Sequence, residues 1–253
     1  MGKQKKNRNA AFFQARADEL NQLCQCLENL FAGDYYDLSS LKNAAKVLET
    51  EAKGIETLDE WGYKIENLIL PVGEIRNTEP SGIAVRICVG CECRAKVADF
   101  NKYSDPFMVN TFHLHVFGDY QGMKYSWGMH LEKDTSNEST EWHPLYHLHC
   151  FDGHAEMKHA LKDTEQNRGM LYLNVPRLVH YPLDIILGIS FFLMNFHKKD
   201  VFLNLFKNSL VFSRLYMGAQ KRIIEPYFDA IANTRGAGTG WADKKELCPQ
   251  IVQ

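Results

Sequence analysis

The chain has no long hydrophobic run and no strong charge of either sign. Its most apolar stretch, Leu183 to Phe196, falls short of the roughly 20 residues that span a bilayer, which argues against a membrane segment. A formal net charge of -2 provides no global basic field, so any nucleic-acid contact has to be local. The basic start Met1-Gly2-Lys3-Gln4-Lys5-Lys6 is followed by no apolar signal core, and Lys6 stands where a myristoylation signal needs Ser or Thr. Seven cysteines without a secretion signal point to a reduced, cytoplasmic protein rather than a disulfide scaffold. What is present is ordinary for a globular chain: 253 residues, 45% hydrophobic, with 15 Phe and 11 Tyr that favour β structure and a filled core.

In chain order, residues 1 to about 10 read as a disordered basic arm. Phe13, Ala17, Leu20, Leu23, Leu27 and Leu30 then recur at helical spacing up to Phe31, and Gly33-Asp34 ends that helix. A second helix starts near Ser39 or Ser40 and runs to Gly54, and Leu58 to Leu70 is expected to form a third, stopped by Pro71. The turn cluster 77–82 marks a change of period, because Ile83, Val85, Ile87 and Val89 alternate as a strand does. Cys88, Cys91 and Cys93 have the short spacing of half a zinc ribbon but no downstream partner pair, so they read as free thiols. A meander follows over 110–117, 123–131 and 145–151, then a strand over 171–175. A helix is expected from Pro182, with Asp184 in its first turn, followed by helices over 200–207 and 209–225 that Pro226 breaks or kinks. The expected architecture is α+β: a basic arm and N-terminal helices over 1–76, an antiparallel β region over 77–181, a helical layer over 182–233 packed on the sheet, and a flexible tail over 234–253.

Nine of the ten histidines lie between Thr111 and Asp184. His113 and His115 in T-F-H-L-H-V-F, and His147 and His149 in L-Y-H-L-H-C-F, are near-copies of one strand pattern. Alternation puts Phe112, Leu114 and Val116 on one face and His113 and His115 on the other; Tyr146, Leu148 and Cys150 likewise lie opposite His147 and His149. The four histidines therefore share one face of a sheet. The middle strand has two registers: one brings Tyr125 and Trp127 to that face, and a one-residue shift brings Lys124 and His130.

Three chemistries suit such a face. Imidazoles on neighbouring strands can converge on a transition metal, but no Glu or Asp at ligand spacing is visible beside them, so neither metal nor cofactor is expected. They can act as acid and base in RNA cleavage, with Arg177 or Lys124 stabilising charge on phosphorus and Tyr125, Trp127 and Tyr146 stacking bases. They can also be half-buried polar residues that meet a protein partner. The candidate catalytic set is His113, His115, His147, His149 and Arg177, with Trp127, Tyr125, Tyr146, His143 and His180 as candidate ligand contacts. His130, His154, His159 and His197 read as structural. Arg177, on the stiff junction between Pro176 and Pro182, either grips a phosphate or partner carboxylate beside His147 and His149, with His180 completing the pocket, or clamps the helices to the sheet through an acid such as Asp184 or Glu225.

The run W-H-P-L-Y-H-L-H at Trp142 to His149, P-R-L-V-H-Y-P-L-D at Pro176 to Asp184, F-F-L-M-N-F at Phe191 to Phe196, Gln220 and Pro226-Tyr227-Phe228 together resemble an uncharacterised bacterial family. The resemblance covers roughly the second half of the chain. The sequence departs from the family pattern with Phe-Asp-Gly at 151–153, where a Gly-Gly pair is usual, and with Ser190, where an acid is common. A fainter likeness links the histidine strands to small toxins of bacterial toxin–antitoxin pairs. The resemblance implies a defence or mobile-element locus but no activity. The leading expectation is an accessory or partner-binding protein whose partner is encoded nearby. The alternative is a metal-independent ribonuclease-like toxin that binds RNA, and no membrane contact is expected in either case.

Overall fold

The structure, a computed structural model, describes residues 2–54, 58–74, 83–100, 105–134, 144–151, 178–232 and 247–248. Helices α1 (Gly2–Leu30) and α2 (Ser39–Lys53) pack together, and α2 lies on the first strand. Phe13, Ala17, Leu20, Leu23 and Leu27 form the buried stripe of α1, and Leu41, Ala44, Ala45 and Leu48 that of α2. Gly33, at φ 97, takes the left-handed conformation that ends α1 and turns the chain. The basic arm is not separate from this helix: α1 begins at Gly2, where Lys, Gln and Ala, all good helix formers, extend it.

Six strands follow as one antiparallel sheet in sequential order: β1 (Glu60–Glu74), β2 (Ala84–Lys96), β3 (Phe107–Tyr120), β4 (Met123–Lys133), β5 (Tyr146–Phe151) and β6 (Leu178–Val179). The α+β architecture holds, with one correction. Residues expected to form a third helix are the edge strand β1. Trp61, Tyr63 and Ile65 are buried at period two, a register shift intervenes before Leu68, and Leu68, Leu70 and Val72 resume the alternation. Asn67, at φ 57, sits in that irregularity. The slipped alternation imitates helical spacing, and Pro71 is tolerated because the strand lies at an edge.

The apolar side of the sheet carries Ile87, Val89, Cys91, Phe112, Leu114, Met129, Leu131 and Tyr146, all buried in one core with the helices. Against it lies α3 (Ile185–Phe196), whose buried positions run almost all round the helix. Pro182 is not its first residue. Asp184 is the N-cap, its side chain accepting from the Leu187 N–H at 2.9 Å, while Tyr63 Oη accepts from the Ile185 N–H at 3.1 Å. Buried Asn110 holds the junction to the sheet, donating to the Leu183 carbonyl at 2.8 Å and accepting from the Leu183 N–H at 3.3 Å.

Helices α4 (Lys199–Asn208) and α5 (Leu210–Ala219) continue the layer. Pro226 does not break the chain: a π-helical segment over Gln220–Ile224 leads directly into α6 (Glu225–Ala232). From the π segment, Arg222 donates to both Glu19 oxygens of α1 at 3.0 Å and approaches Asp184 at 4.0 Å, so one arginine ties α1 to the start of α3. Leu247, expected in a flexible tail, is fully buried, and its carbonyl accepts from the Tyr227 hydroxyl at 3.4 Å. Among the described residues no helix is long and apolar enough to cross a membrane.

A histidine–carboxylate lattice on the sheet as candidate functional site

Strand register decides which side chains meet. The β3–β4 hairpin turns on Gln121 and Gly122, with φ 51 and φ 78, so Tyr120 pairs with Met123. Positive φ at both central residues is what a two-residue type I′ turn requires. Counting from that turn pairs His113 with His130, and Trp127 with Val116 on the apolar side. The register that brings His130 to the histidine face is therefore the one adopted. Lys124 and Tyr125 lie opposite Asp119 and Gly118 in β4, and their side chains lie outside the described residues.

Directly opposed residues on adjacent strands share a face, so the pairing lays out rows. One row reads Gly90, His113, His130, His149 from β2 to β5. On one side of it runs Cys88, His115, Gly128, Phe151; on the other, Glu92, Thr111, Glu132, His147 and Val179 of β6. Beyond the His115 row comes Arg86, Phe117, Ser126, where the Arg86 guanidinium lies 5.3 Å from the Phe117 ring centre. At Gly90 an added Cβ would lie 3.6 Å from the His113 ring, so β2 contributes a flat floor beside that imidazole.

The contacts within the rows form a chain. His147, 1% exposed, sets Nδ1 3.1 Å from the Pro144 carbonyl and Nε2 3.3 Å from Glu132 Oε1. Both its nitrogens thus face oxygen acceptors. The other carboxylate oxygen, Oε2, lies 3.2 Å from His130 Nε2. His130 Nδ1 in turn lies 3.0 Å from His149 Nε2, the two ring centres 3.8 Å apart. His113 stands beside His130 at 5.2 Å between ring centres, and His115 beside His113 at 6.5 Å. Approach of His130, and then of His147, holds the Glu132 carboxyl far below the ordinary carboxylate range although burial pushes it upward. Glu132 is therefore an anion at neutral pH, fixed from both sides. His113, His115, His130 and His149 are half-buried, and Glu132 keeps 38% of its side chain exposed, so the lattice reaches the surface.

Of the residues singled out from the sequence, His113, His115, His147 and His149 come together here. Trp127 is on the opposite side, against Phe196 at 5.9 Å. Tyr146 is also on that side, its hydroxyl donating to Asp105 at 2.6 Å. His180 lies tilted against Tyr181 and edge-on to Phe191, with Nδ1 2.7 Å from the Tyr181 carbonyl, and burial pushes its imidazole pKa down; it forms part of the helix–sheet packing. His197 packs against Phe31 and Phe192. Arg177, His143, His154, His159 and the 171–175 strand lie outside the described residues. The three thiols cannot share an ion: Cys91 and Cys93 lie 3.7 Å apart in the core, whereas Cys88 is on the histidine side, 3.5 Å from Asn67 Oδ1.

Histidine spacing alone does not point to Glu132, and it places His130 on this face in only one of two registers. His130-Leu131-Glu132 is a third copy of the pattern, with Glu replacing the second His. Comparing strands rather than counting histidines finds it. No protein-family model, curated protein or solved structure matches the chain, so the functional reading rests on this geometry.

Proposed function

We propose that the histidine face is the active surface of a ribonuclease-like enzyme that cleaves phosphodiesters by imidazole acid–base catalysis. The observation that carries this reading is Glu132, an anion locked between His147 and His130 in the same rows as His113, His149 and His115. Glu132 fixes the His130 ring, which stands 5.2 Å from His113 between ring centres and so bounds the position of that imidazole. His113 and His115, adjacent and half-buried, are the proton acceptor and donor. One takes the proton of a ribose 2′-hydroxyl as that oxygen attacks the adjacent phosphorus. The phosphorus–5′-oxygen bond breaks, and the other ring protonates the departing oxygen, leaving a 2′,3′-cyclic phosphate and a 5′-hydroxyl. Imidazole suits both halves because its ordinary pKa lies near neutrality, at ~6.5. Arg86 on Phe117, one row beyond His115, supplies an exposed cation and a ring face for a phosphate and a base.

Induced expression of the chain alone in a bacterial host tests the proposal. Growth should arrest, and His115→Ala or His113→Ala, at equal soluble yield, should restore it. Harmless expression of the intact chain would support the alternative, an accessory protein of a defence or mobile-element locus that acts only with a partner encoded beside it.

A further inference from the structure

We propose that His130, His149 and Glu132 bind one divalent transition-metal ion of the zinc class. The inference uses the same face as the proposal above but does not depend on RNA being the substrate. One donor atom from each of the three residues lies within 4.8 Å of the other two. His130 Nδ1 and His149 Nε2 are already 3.0 Å apart. Metal–ligand bonds of about 2.0–2.2 Å place neighbouring ligands of a tetrahedral ion roughly 3.3–3.5 Å from one another, so the two imidazoles already stand near ligand spacing. The Glu132 carboxylate, now 3.2 Å from the other ring nitrogen of His130, has to swing toward them to close the site. Two imidazoles and one carboxylate form the donor set of open catalytic zinc sites, leaving a position for water or substrate. Nitrogen donors in the majority disfavour Mg²⁺ and Ca²⁺, which prefer oxygen.

The surroundings match what a ligating carboxylate requires. Glu132 Oε1 is held by His147, itself anchored by the Pro144 carbonyl, an outer layer that fixes a ligand in place. Glu132 thus supplies the carboxylate that the spacing of the histidines alone does not reveal. With no ion bound, the 3.0 Å separation is an imidazole–imidazole hydrogen bond, and the experiment separates the two states.

The full-length protein, stripped with chelator and dialysed, is titrated with ZnCl₂ and in parallel with CoCl₂, followed by calorimetry and by the cobalt visible spectrum. The expected result is one equivalent bound, with no thiolate-to-cobalt charge-transfer band. Glu132→Gln and His149→Gln, checked for folding by circular dichroism, should each weaken binding by about 100-fold or more, above the usual effect of outer-layer changes. His147→Asn should weaken it by about 10–100-fold. Absence of stoichiometric binding overturns the inference, as does a thiolate band or full affinity in folded Glu132→Gln and His149→Gln. RNA cleavage that persists in chelator without zinc binding would sink the metal and keep the nuclease. Zinc bound without cleavage would do the reverse.

Discussion

Gly188→Ala probes how closely α3 sits on the strand that carries His113. A Cβ built at Gly188 would lie 2.1 Å from Phe112 Cε2, 2.5 Å from Cδ2 and 2.9 Å from Cζ. Ordinary carbon–carbon contact is about 3.5 Å, so either the ring or the helix must retreat by more than ~1 Å. Neither has room, because Phe112 is fully buried and α3 is buried almost all round. Two effects compete. Alanine is favoured over glycine inside a helix by about 1 kcal/mol. Overpacking a filled core costs about 1–3 kcal/mol, and a clash on three ring carbons belongs at the upper end. The net expectation is a loss of about 2 kcal/mol, which for a chain of this size lowers Tm by roughly 4–8 °C. Urea and thermal denaturation of wild type and Gly188→Ala measure it. Adding Phe112→Leu should make the double variant more stable than the two separate losses predict, because the substitutions share one contact. A Gly188→Ala protein as stable as wild type would refute the packing argument and show that helix propensity dominates.

Further predictions concern the turn, the cap, the clamp and the arginine on the site face. Gln121→Asn places Asn-Gly in the type I′ turn and should stabilise by about 0.5–1 kcal/mol in chemical denaturation, as Asn tolerates the left-handed conformation better than Gln. Asp184→Ala should cost about 1–2 kcal/mol through the lost N-cap, whereas Asp184→Asn should cost less, since it keeps a cap acceptor and burial already pushes that carboxyl pKa up. Arg222→Lys forfeits the two-pronged contact with Glu19 and should cost about 1 kcal/mol, at the low end because both groups are partly exposed. Arg86→Ala should leave Tm unchanged and weaken single-stranded RNA binding, by about 1 kcal/mol at an exposed cation–ring site, in fluorescence anisotropy.

Most of the fold was readable because burial imposes a period. The stripes of α1 and α2 and the alternation of β3 and β5 follow from one apolar face each. At two places a local irregularity conceals the period. The bulge at Asn67 moved the buried set of β1 by one residue, and a strand looked like a helix. At the β3–β4 hairpin, five residues suited to a loop conceal a two-residue turn, and its length alone decides whether His130 or Trp127 joins His113. Glu132 was missed because its importance comes from its neighbours across two strands. Alone in its strand it is an ordinary exposed acid; between His130 and His147 it becomes the fixed charge of the site. Among the described residues the junction is held by Asn110, Tyr63 and Arg222, residues distant from it in sequence, so no local pattern announces them.

The central claim, that His113 and His115 flank a phosphodiester for attack by the neighbouring ribose hydroxyl, is tested most directly with two oligonucleotides. One is a single-stranded RNA, and the other is the same strand with a 2′-deoxy sugar at the cleaved position. Purified protein should cut the first to a 2′,3′-cyclic phosphate and leave the second intact at that position, and His115→Ala should abolish the cut while retaining the wild-type Tm. Equal cleavage of both strands, or undiminished cleavage by His115→Ala, would contradict it.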